Sequence, residues 1–464
     1  MTGLLGQRAS GVAAAAFVLL CGWWYWQRCW LAQMPDRGPS DFEFYYHAAQ
    51  QVLHGRSPYL EGGYVYPPLL ACLLAPLAMF DYFTARWIWF AISHAAFLAA
   101  GWLLWRHLGR GRAALCAVAL VWAAGGAAED GFGLGQADAV LLLLGVIALT
   151  SAGRAAALSI AGGFALKLFP GVLGILPAIE RRWRAFAFTA AAAALLMALP
   201  WAAVRFGLRG PTAPPGVAYL AGTPCLLSWS VPSAALRLLD SPGRSGHLPA
   251  DWTFGYDLPK LRLRPAAAAV SLAAAGCVLA GGVLALWIVL TPAGAGLPAS
   301  RGQLARRLGA GAAARGSRAE SVPEPAGIVA RRLADPELTP ARHALAGAGL
   351  LSLALAASPI SWWHYPVLHY PALALLLAGA IRDRRPEMFG GVLATGAALY
   401  WLPAAVLRHY YRNGRWPDDP WTLQFWTALP ALASLILFAI VLFALAGGGR
   451  EACRIVGERT DARL

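Results

Sequence analysis

P-S-D-F-E-F-Y-Y-H-A-A-Q-Q-V-L-H-G-R-S-P-Y-L-E-G-G-Y-V-Y-P-P, residues 39–68, is a polar and aromatic island between the first hydrophobic segment and a long series of apolar blocks. Within it Phe42, Tyr45, Tyr46, Ala49, Val52 and Leu53 recur at intervals of three and four, the period of one helix face, which predicts a short interfacial helix. Asp41 stands immediately before that helix. Asp is among the best N-cap residues, so one reading makes Asp41 a cap and nothing more. The other makes its carboxylate a reactive group at a membrane surface, and the rest of the chain has to decide between them.

Composition sets the class. The chain has 464 residues, 58% hydrophobic and 13% charged, with a mean hydropathy of +0.53, more apolar surface than one soluble core buries. An all-α polytopic membrane protein is expected. The formal charge of +15 does not imply a nucleic-acid partner, because the Arg residues gather at the ends of apolar blocks and in one long loop, as in cytoplasmic loops. The seven Cys lack C-x-x-C spacing and read as small core residues rather than a disulfide framework or zinc site. Gly11 to Leu31 is long enough to span, without a clear small-residue cleavage site, and is expected to remain as the first span instead of being removed as a signal peptide.

Lys and Arg in the short loops orient the spans. Both termini are expected in the cytoplasm, with residues 32–66 forming the first outer loop and 205–264 a second, within a single transmembrane domain covering 1–464. Pro67 to Phe80 is too short to cross and reads as re-entrant or interfacial. Glu129 to Gly135 reads as an outer, acidic turn. The apolar segment around Trp229 reads either as an amphipathic helix anchored on the membrane surface or as a passive loop. Residues 291–342, with eight Arg against four acidic residues, read as a disordered cytoplasmic linker. The pattern predicts about ten full crossings plus one or two broken elements.

Ala155 to Ile179 looks like one span, yet Arg154 precedes it and Glu180-Arg181-Arg182-Trp183-Arg184 follows, so both ends ask for the same side. Lys167 and Pro170 lie at its middle, in F-A-L-K-L-F-P, where a broken, re-entrant segment would turn back; a single crossing is the alternative. A lysine at membrane depth is expensive and by default functional, unless it snorkels to an interface.

Four blocks in order resemble the glycosyltransferase family 87 pattern: D-F-E-F-Y-Y-H-A-A-Q-Q-V-L-H-G-R-S-P-Y followed by Y-P-P-L, then G-L-G-Q-A-D-A-V-L-L-L, then A-L-K-L-F-P with R-R-W-R-A, then S-P-I-S-W-W-H-Y. They run from Asp41 to Tyr365. Where some members carry adjacent histidines after the serine-tryptophan motif, this chain has His364 followed by Tyr365, with His369 further on. The resemblance implies a GT-C-like fold of about 10–12 transmembrane or re-entrant helices, counted by the same span rule. It also implies transfer of a sugar, mannose in the typical case, from a polyprenyl-phosphate donor to a glycan or glycolipid hydroxyl. The setting it implies is the outer, periplasmic face of a bacterial plasma membrane, among membrane lipids.

The residues offer parts for that chemistry. Transfer from a lipid-phosphate sugar needs a base for the acceptor hydroxyl and cations or donors for the departing phosphate. One carboxylate suffices for an inverting displacement, because phosphate leaves without a protonating acid. Asp41 is the candidate base and His364 the second catalytic candidate, against a packing role for His364 among its aromatic neighbours. Lys167, Arg56, Tyr45 and Tyr59 are candidates for the donor and its phosphate; Tyr66 is a further stacking candidate. Glu43, Tyr46, Gln136, Trp362 and Trp363 are candidate supporting or acceptor residues. Asp138 stands evenly between a structural and a functional role, and Glu129 and Asp130 complete the acidic groups of that side. No motif calls for a metal or a cofactor. A lipid or sugar transporter or flippase, with Lys167 on its substrate path, is the competing class, and a non-enzymatic scaffold a third.

Overall fold

The computed structural model of the chain describes residues 2–36, 40–60, 63–124, 126–212, 228–239, 265–290, 339–358, 361, 364–413 and 420–447. Trp362, Trp363, residues 291–338 and most of the segment 205–264 lie outside the described residues. Helices account for nearly all of the rest, and no strand occurs among the described residues beyond an isolated pairing of Arg56 with Arg209.

The first block forms α1 (Thr2–Tyr25), which widens into a π-helical turn over Trp26–Leu31. The island forms α2 (Phe42–Leu53), with Phe42, Tyr45, Tyr46, Ala48, Ala49 and Gln51 buried, largely the face that the three-four spacing marks out. Pro68 opens the seven-residue α3 (Pro68–Leu74), where a missing N–H costs nothing. Then come α4 (Tyr82–His107), α5 (Arg112–Ala124), α6 (Gly126–Leu134), α7 (Asp138–Thr150) and α8 (Gly153–Leu166). The remaining helices are α9 (Ile175–Ile179), α10 (Trp183–Ala202), α11 (Val231–Leu239), α12 (Pro265–Leu290), α13 (Pro340–Ala357), α14 (Tyr370–Arg382), α15 (Pro386–Gly396), α16 (Leu402–Asn413) and α17 (Pro420–Gly447).

Long helices present bare apolar side chains outward: Leu195 and Leu199 on α10, Leu272 and Ile288 on α12, Leu432 and Phe443 on α17 are all exposed. In water such surfaces would associate; in a bilayer they are solvated by lipid tails. Five described helices are long and apolar enough to cross, or six if α5 and α6, bent by 51°, count as one broken span. That is fewer than the ten full crossings the charge pattern predicts. Of the predicted crossings, α7 is apolar but too short to span alone; α8 and the segment Pro170–Ile179, likewise short, make up the broken element expected from the sequence.

α7 and the turn over Phe169–Gly174 pack against α13, which is buried at almost every position from Ala344 to Ala357. Lipid gives helices little hydrophobic reason to associate, so close backbone approach matters more. Gly347 and Gly349 supply it. A Cβ on Gly347 would lie 2.2 Å from Leu149 of α7, and one on Gly349 would lie 2.8 Å from Val441 of α17.

The block 155–179 turns back. α8 stops at Leu166, Lys167 is extended (φ −152°, ψ 109°), and a 3-10 turn over Phe169–Gly174 returns along α8. The return leg lies so close that a Cβ on Gly163 would sit 3.0 Å from Pro170, and one on Gly171 would sit 2.4 Å from Phe164. Gly153 and Arg182, at the two ends of the block, line the same small cavity with His343.

Two sequence expectations are corrected. Glu129 to Gly135 is not a turn: it is α6 with its terminal glycine, because Glu129 is tied to Arg28 and Asp130 to Tyr400, which lets the segment stay helical in the interior. Trp229 is not a surface anchor. It is 2% exposed, next to the ring of Tyr400, and its backbone N–H donates to the Ser361 carbonyl at 2.6 Å.

In a cysteine-free background, Arg154→Cys and Arg184→Cys, both at exposed positions, are expected to react with an impermeant maleimide from the same side of the membrane. Labelling from opposite sides would show a straight crossing instead.

Candidate functional site

Four chain segments meet below the island, and a glycine makes the meeting possible. α6 ends in a Schellman motif: Gln136 N–H donates to the Gly131 carbonyl at 2.8 Å, and Gly135 N–H donates to the Phe132 carbonyl at 3.1 Å. Gly135 takes the left-handed conformation this ending needs, φ 69°. It also lies against α2, since a Cβ there would stand 2.7 Å from the Cβ of Phe42. Trp89 of α4 pins the turn by donating Nε1–H to the Gly135 carbonyl at 2.8 Å. Gln136 and Asp138 follow directly and are thereby aimed at the start of α2.

Asp41 does not cap α2. Its backbone is already helical (φ −66°, ψ −19°) and its side chain accepts no N–H from the first turn. Only the backbone closes that end, through Ser40 and Asp41 carbonyls accepting from Glu43 and Phe44. Asp81 shows the contrast: extended at ψ 157°, it caps α4 by accepting from Phe83 and Thr84 N–H at 3.1 Å each. The carboxylate of Asp41 is left for another partner, the side-chain amide of Gln136, whose Nε2 donates to Oδ2.

From there a chain of polar contacts runs inward. The Gln136 Oε1 accepts from the Tyr45 hydroxyl at 2.6 Å and from Lys167 Nζ at 3.2 Å. Two donors on the oxygen fix which way the amide faces, and its nitrogen therefore points to Asp41. Lys167 Nζ also lies 2.9 Å from Asp138 Oδ1, and the other Asp138 oxygen, Oδ2, meets His364 Nδ1. Lys167 is 4% exposed, Asp138 2% and His364 2%. The rings of Tyr365 and Tyr66 cover the ammonium, at 4.3 and 5.0 Å from ring centre to nitrogen. Asp41 itself is half-buried, at the outer end of this chain.

Burial pushes the Asp41 carboxyl above its ordinary value, and Asp138 adds to the rise; His364, the Gln136 amide and Lys167 each oppose it. A carboxylate so placed is a better proton acceptor than one in water.

Of the other sequence candidates, Tyr59 stands one layer behind the cluster, donating to the Tyr66 carbonyl at 3.0 Å and stacking on Trp201. The structure does not bring Arg56, Glu43 or Tyr46 into it. Arg56 is exposed in the turn that meets Arg209. Glu43 faces outward with His47, at 3.6 Å. Tyr46 donates to the Phe80 carbonyl at 2.7 Å and accepts from Gln50 at 3.0 Å, which ties α2 to the segment before α4. These three lie on other faces of α2 or in the turn after it, so helical spacing separates them from Asp41. Trp362 and Trp363 lie outside the described residues; next to them Ser361 is clasped by Ser228 and Trp229, the Ser361 N–H donating to the Ser228 hydroxyl at 3.2 Å.

Asp138 and Tyr365 are the residues that sequence reasoning undervalued. The available signal was an acid at the head of an apolar helix, which has to find a cation or a donor nearby. Among the described residues no group of three or more His, Cys, Asp or Glu has metal-binding geometry. The cation beside Asp138 is the Lys167 ammonium.

Residues 64–239 match the model of glycosyltransferase family 87. The match covers just over a third of the chain and includes Tyr66, Gln136, Asp138 and Lys167; Asp41 and His364 lie outside it in sequence and join it through the fold. It indicates a membrane glycosyltransferase. No solved structure matches the chain.

Two stability outcomes are expected. Gly135→Ala forces a side chain into the left-handed region and against Phe42, and should lower stability by about 2 kcal/mol or more, with loss of activity in the folded fraction; an unchanged melting temperature would refute the close approach. Lys167→Met leaves Asp138 without its cation, at a cost of about 3–5 kcal/mol, and adding Asp138→Asn should recover part of the loss in a thermal melt.

Proposed function

We propose that the chain transfers a sugar, mannose by resemblance, from a polyprenyl-phosphate donor to a hydroxyl of a glycan or glycolipid on the outer face of the membrane, with Asp41 as general base. The observation that carries the reading is the Asp41 carboxylate: it is released from capping α2, half-buried, and held by Gln136 at the end of a buried polar chain that leads to His364.

The chemistry then has a simple balance. The acceptor oxygen bonds to the anomeric carbon of the sugar as its proton passes to Asp41. The bond from that carbon to the donor phosphate breaks, and its electron pair stays on the phosphate, which leaves as polyprenyl phosphate. Attack opposite the leaving group inverts the anomeric centre, so a β-linked donor gives an α-linked product. The leaving phosphate gains one negative charge, and a donor or cation placed there stabilises the transition state more than the ground state. Lys167 is the cation proposed for that task, and His364 is proposed to position the acceptor, its Nε2 accepting from a second hydroxyl. Lys167 is engaged by Asp138 and Gln136, so its charge acts on the phosphate at longer range. Tyr66, half-buried over Lys167 and backed by the buried ring of Tyr45, is the aromatic side chain suited to a sugar face.

A transporter also uses broken helices at a central site, and the reversal at Lys167 is such a break. The polar chain here, however, ends on a half-buried carboxylate beside an outer-loop helix, which suits proton acceptance from a membrane-surface substrate.

Purified protein in nanodiscs is expected to use polyprenyl-phospho-mannose and not GDP-mannose, with Asp41→Asn reducing turnover by about 10²–10⁴-fold. The raised carboxyl has a stability sign as well. Its neutral form is favoured by folding, so that contribution is present at low pH and lost as pH rises through the folded value. Asp41→Asn should therefore keep or raise the melting temperature at neutral pH while removing the acid limb of the pH–rate profile. Full activity in Asp41→Asn would refute the base assignment; no consumption of any lipid-linked sugar by wild type would favour transport.

A further inference from the structure

The Lys167–Asp138–His364 arrangement does more than neutralise charge. We propose that Asp138 is a positioning residue, fixing the His364 imidazole so that Nδ1 carries a proton and Nε2 is the nitrogen offered to the transfer site, while Lys167 holds Asp138 in place. The proposal rests on the glycosyltransferase reading of the site.

The reasoning starts from what a carboxylate can do. An ionised Asp only accepts, so the His364 nitrogen against Asp138 Oδ2 must be the one that bears hydrogen. The opposite nitrogen, Nε2, takes part in no hydrogen bond within the described residues. The ring cannot pivot freely, because it is 2% exposed and Tyr365 stands edge-on to it at 4.7 Å. Nor can Asp138 turn away: its other oxygen is held by Lys167 at 2.9 Å, and the lysine is held in turn by Gln136 and covered by Tyr66 and Tyr365. The acids nearest on α6 are committed elsewhere, Glu129 to Arg28 and Asp130 to Tyr400, which leaves Asp138 as the carboxylate that addresses this imidazole.

A purely structural ion pair would explain burial and charge balance. It would not explain why the second oxygen of Asp138 is spent on a buried imidazole whose other nitrogen has no protein partner among the described residues. The arrangement has the logic of a carboxylate that sets the tautomer of a histidine without reacting itself.

The test is a double-mutant cycle with a spectroscopic arm. Asp138→Asn, His364→Gln and their combination are assayed in nanodiscs with polyprenyl-phospho-mannose. The fourth protein is Asp138→Asn with Lys167→Met, which removes the stranded ammonium and guards against misfolding of the single variant. Asp138→Asn should lower kcat by about 10²-fold or more with little change in acceptor KM, and should add no further loss to His364→Gln. In protein labelled with ¹⁵N-histidine, His364 is assigned among nine His by its disappearance in His364→Gln. It should show the Nδ1–H form in wild type and lose it in the two Asp138→Asn proteins that retain His364. Equal losses from Asp138→Asn in the presence and absence of His364, or an unaltered tautomer, overturn the proposal. The spectra need no turnover. A wild type that transfers no sugar but shows the tautomer change would support the positioning geometry and sink the transfer chemistry, so the two failures are distinguishable.

Discussion

A lysine and an aspartate, each almost wholly buried, lie 2.9 Å apart in the interior of an apolar helical fold. Neither charge is tolerable there alone, since an unpaired ion in a low-dielectric interior costs several kcal/mol. Lys167 reaches its position only because α8 stops one residue before it and the chain reverses. Asp138 reaches its position only because α6 ends in a left-handed glycine and α7 begins at once. The reversal, the glycine turn and the pair are therefore one constraint seen from three places, and Asp41 and His364 are attached to its two ends.

Much of the fold was legible in the sequence. The period of α2, the charge conflict around Ala155–Ile179 and the break at Lys167 follow from spacing, loop charge and the cost of an intramembrane lysine, all local quantities. The number of full spans was not legible, because short apolar segments buried against protein and long ones facing lipid have the same composition. Trp229 is a similar case. A tryptophan beside an apolar run reads as an interfacial anchor, whereas its burial depends on a backbone contact with Ser361, 132 residues on.

The site divides along the same line. Asp41, Lys167, His364, Tyr45 and Gln136 stand out as polar residues at membrane boundaries, and the fold brings them together. Arg56, Glu43 and Tyr46 share the island but not the face, and proximity in sequence is a poor guide to direction on a helix. Asp41 is the instructive residue: N-cap propensity is real, yet it acts only if the preceding backbone is extended, and the backbone here is helical.

Gln136 joins the two charged ends of the cluster with a neutral group. Its oxygen serves Tyr45 and Lys167 and its nitrogen serves Asp41, so the side chain uses both of its chemically different ends at once. A glutamate would fill the same space and keep the first two contacts. At the third it would set one carboxylate against another, turning an attraction into a repulsion. The site thus reads the difference between an amide and an acid at a single atom, and slow chemical deamidation at that residue would leave a protein of unchanged shape whose first carboxylate no longer has a donor to hold it.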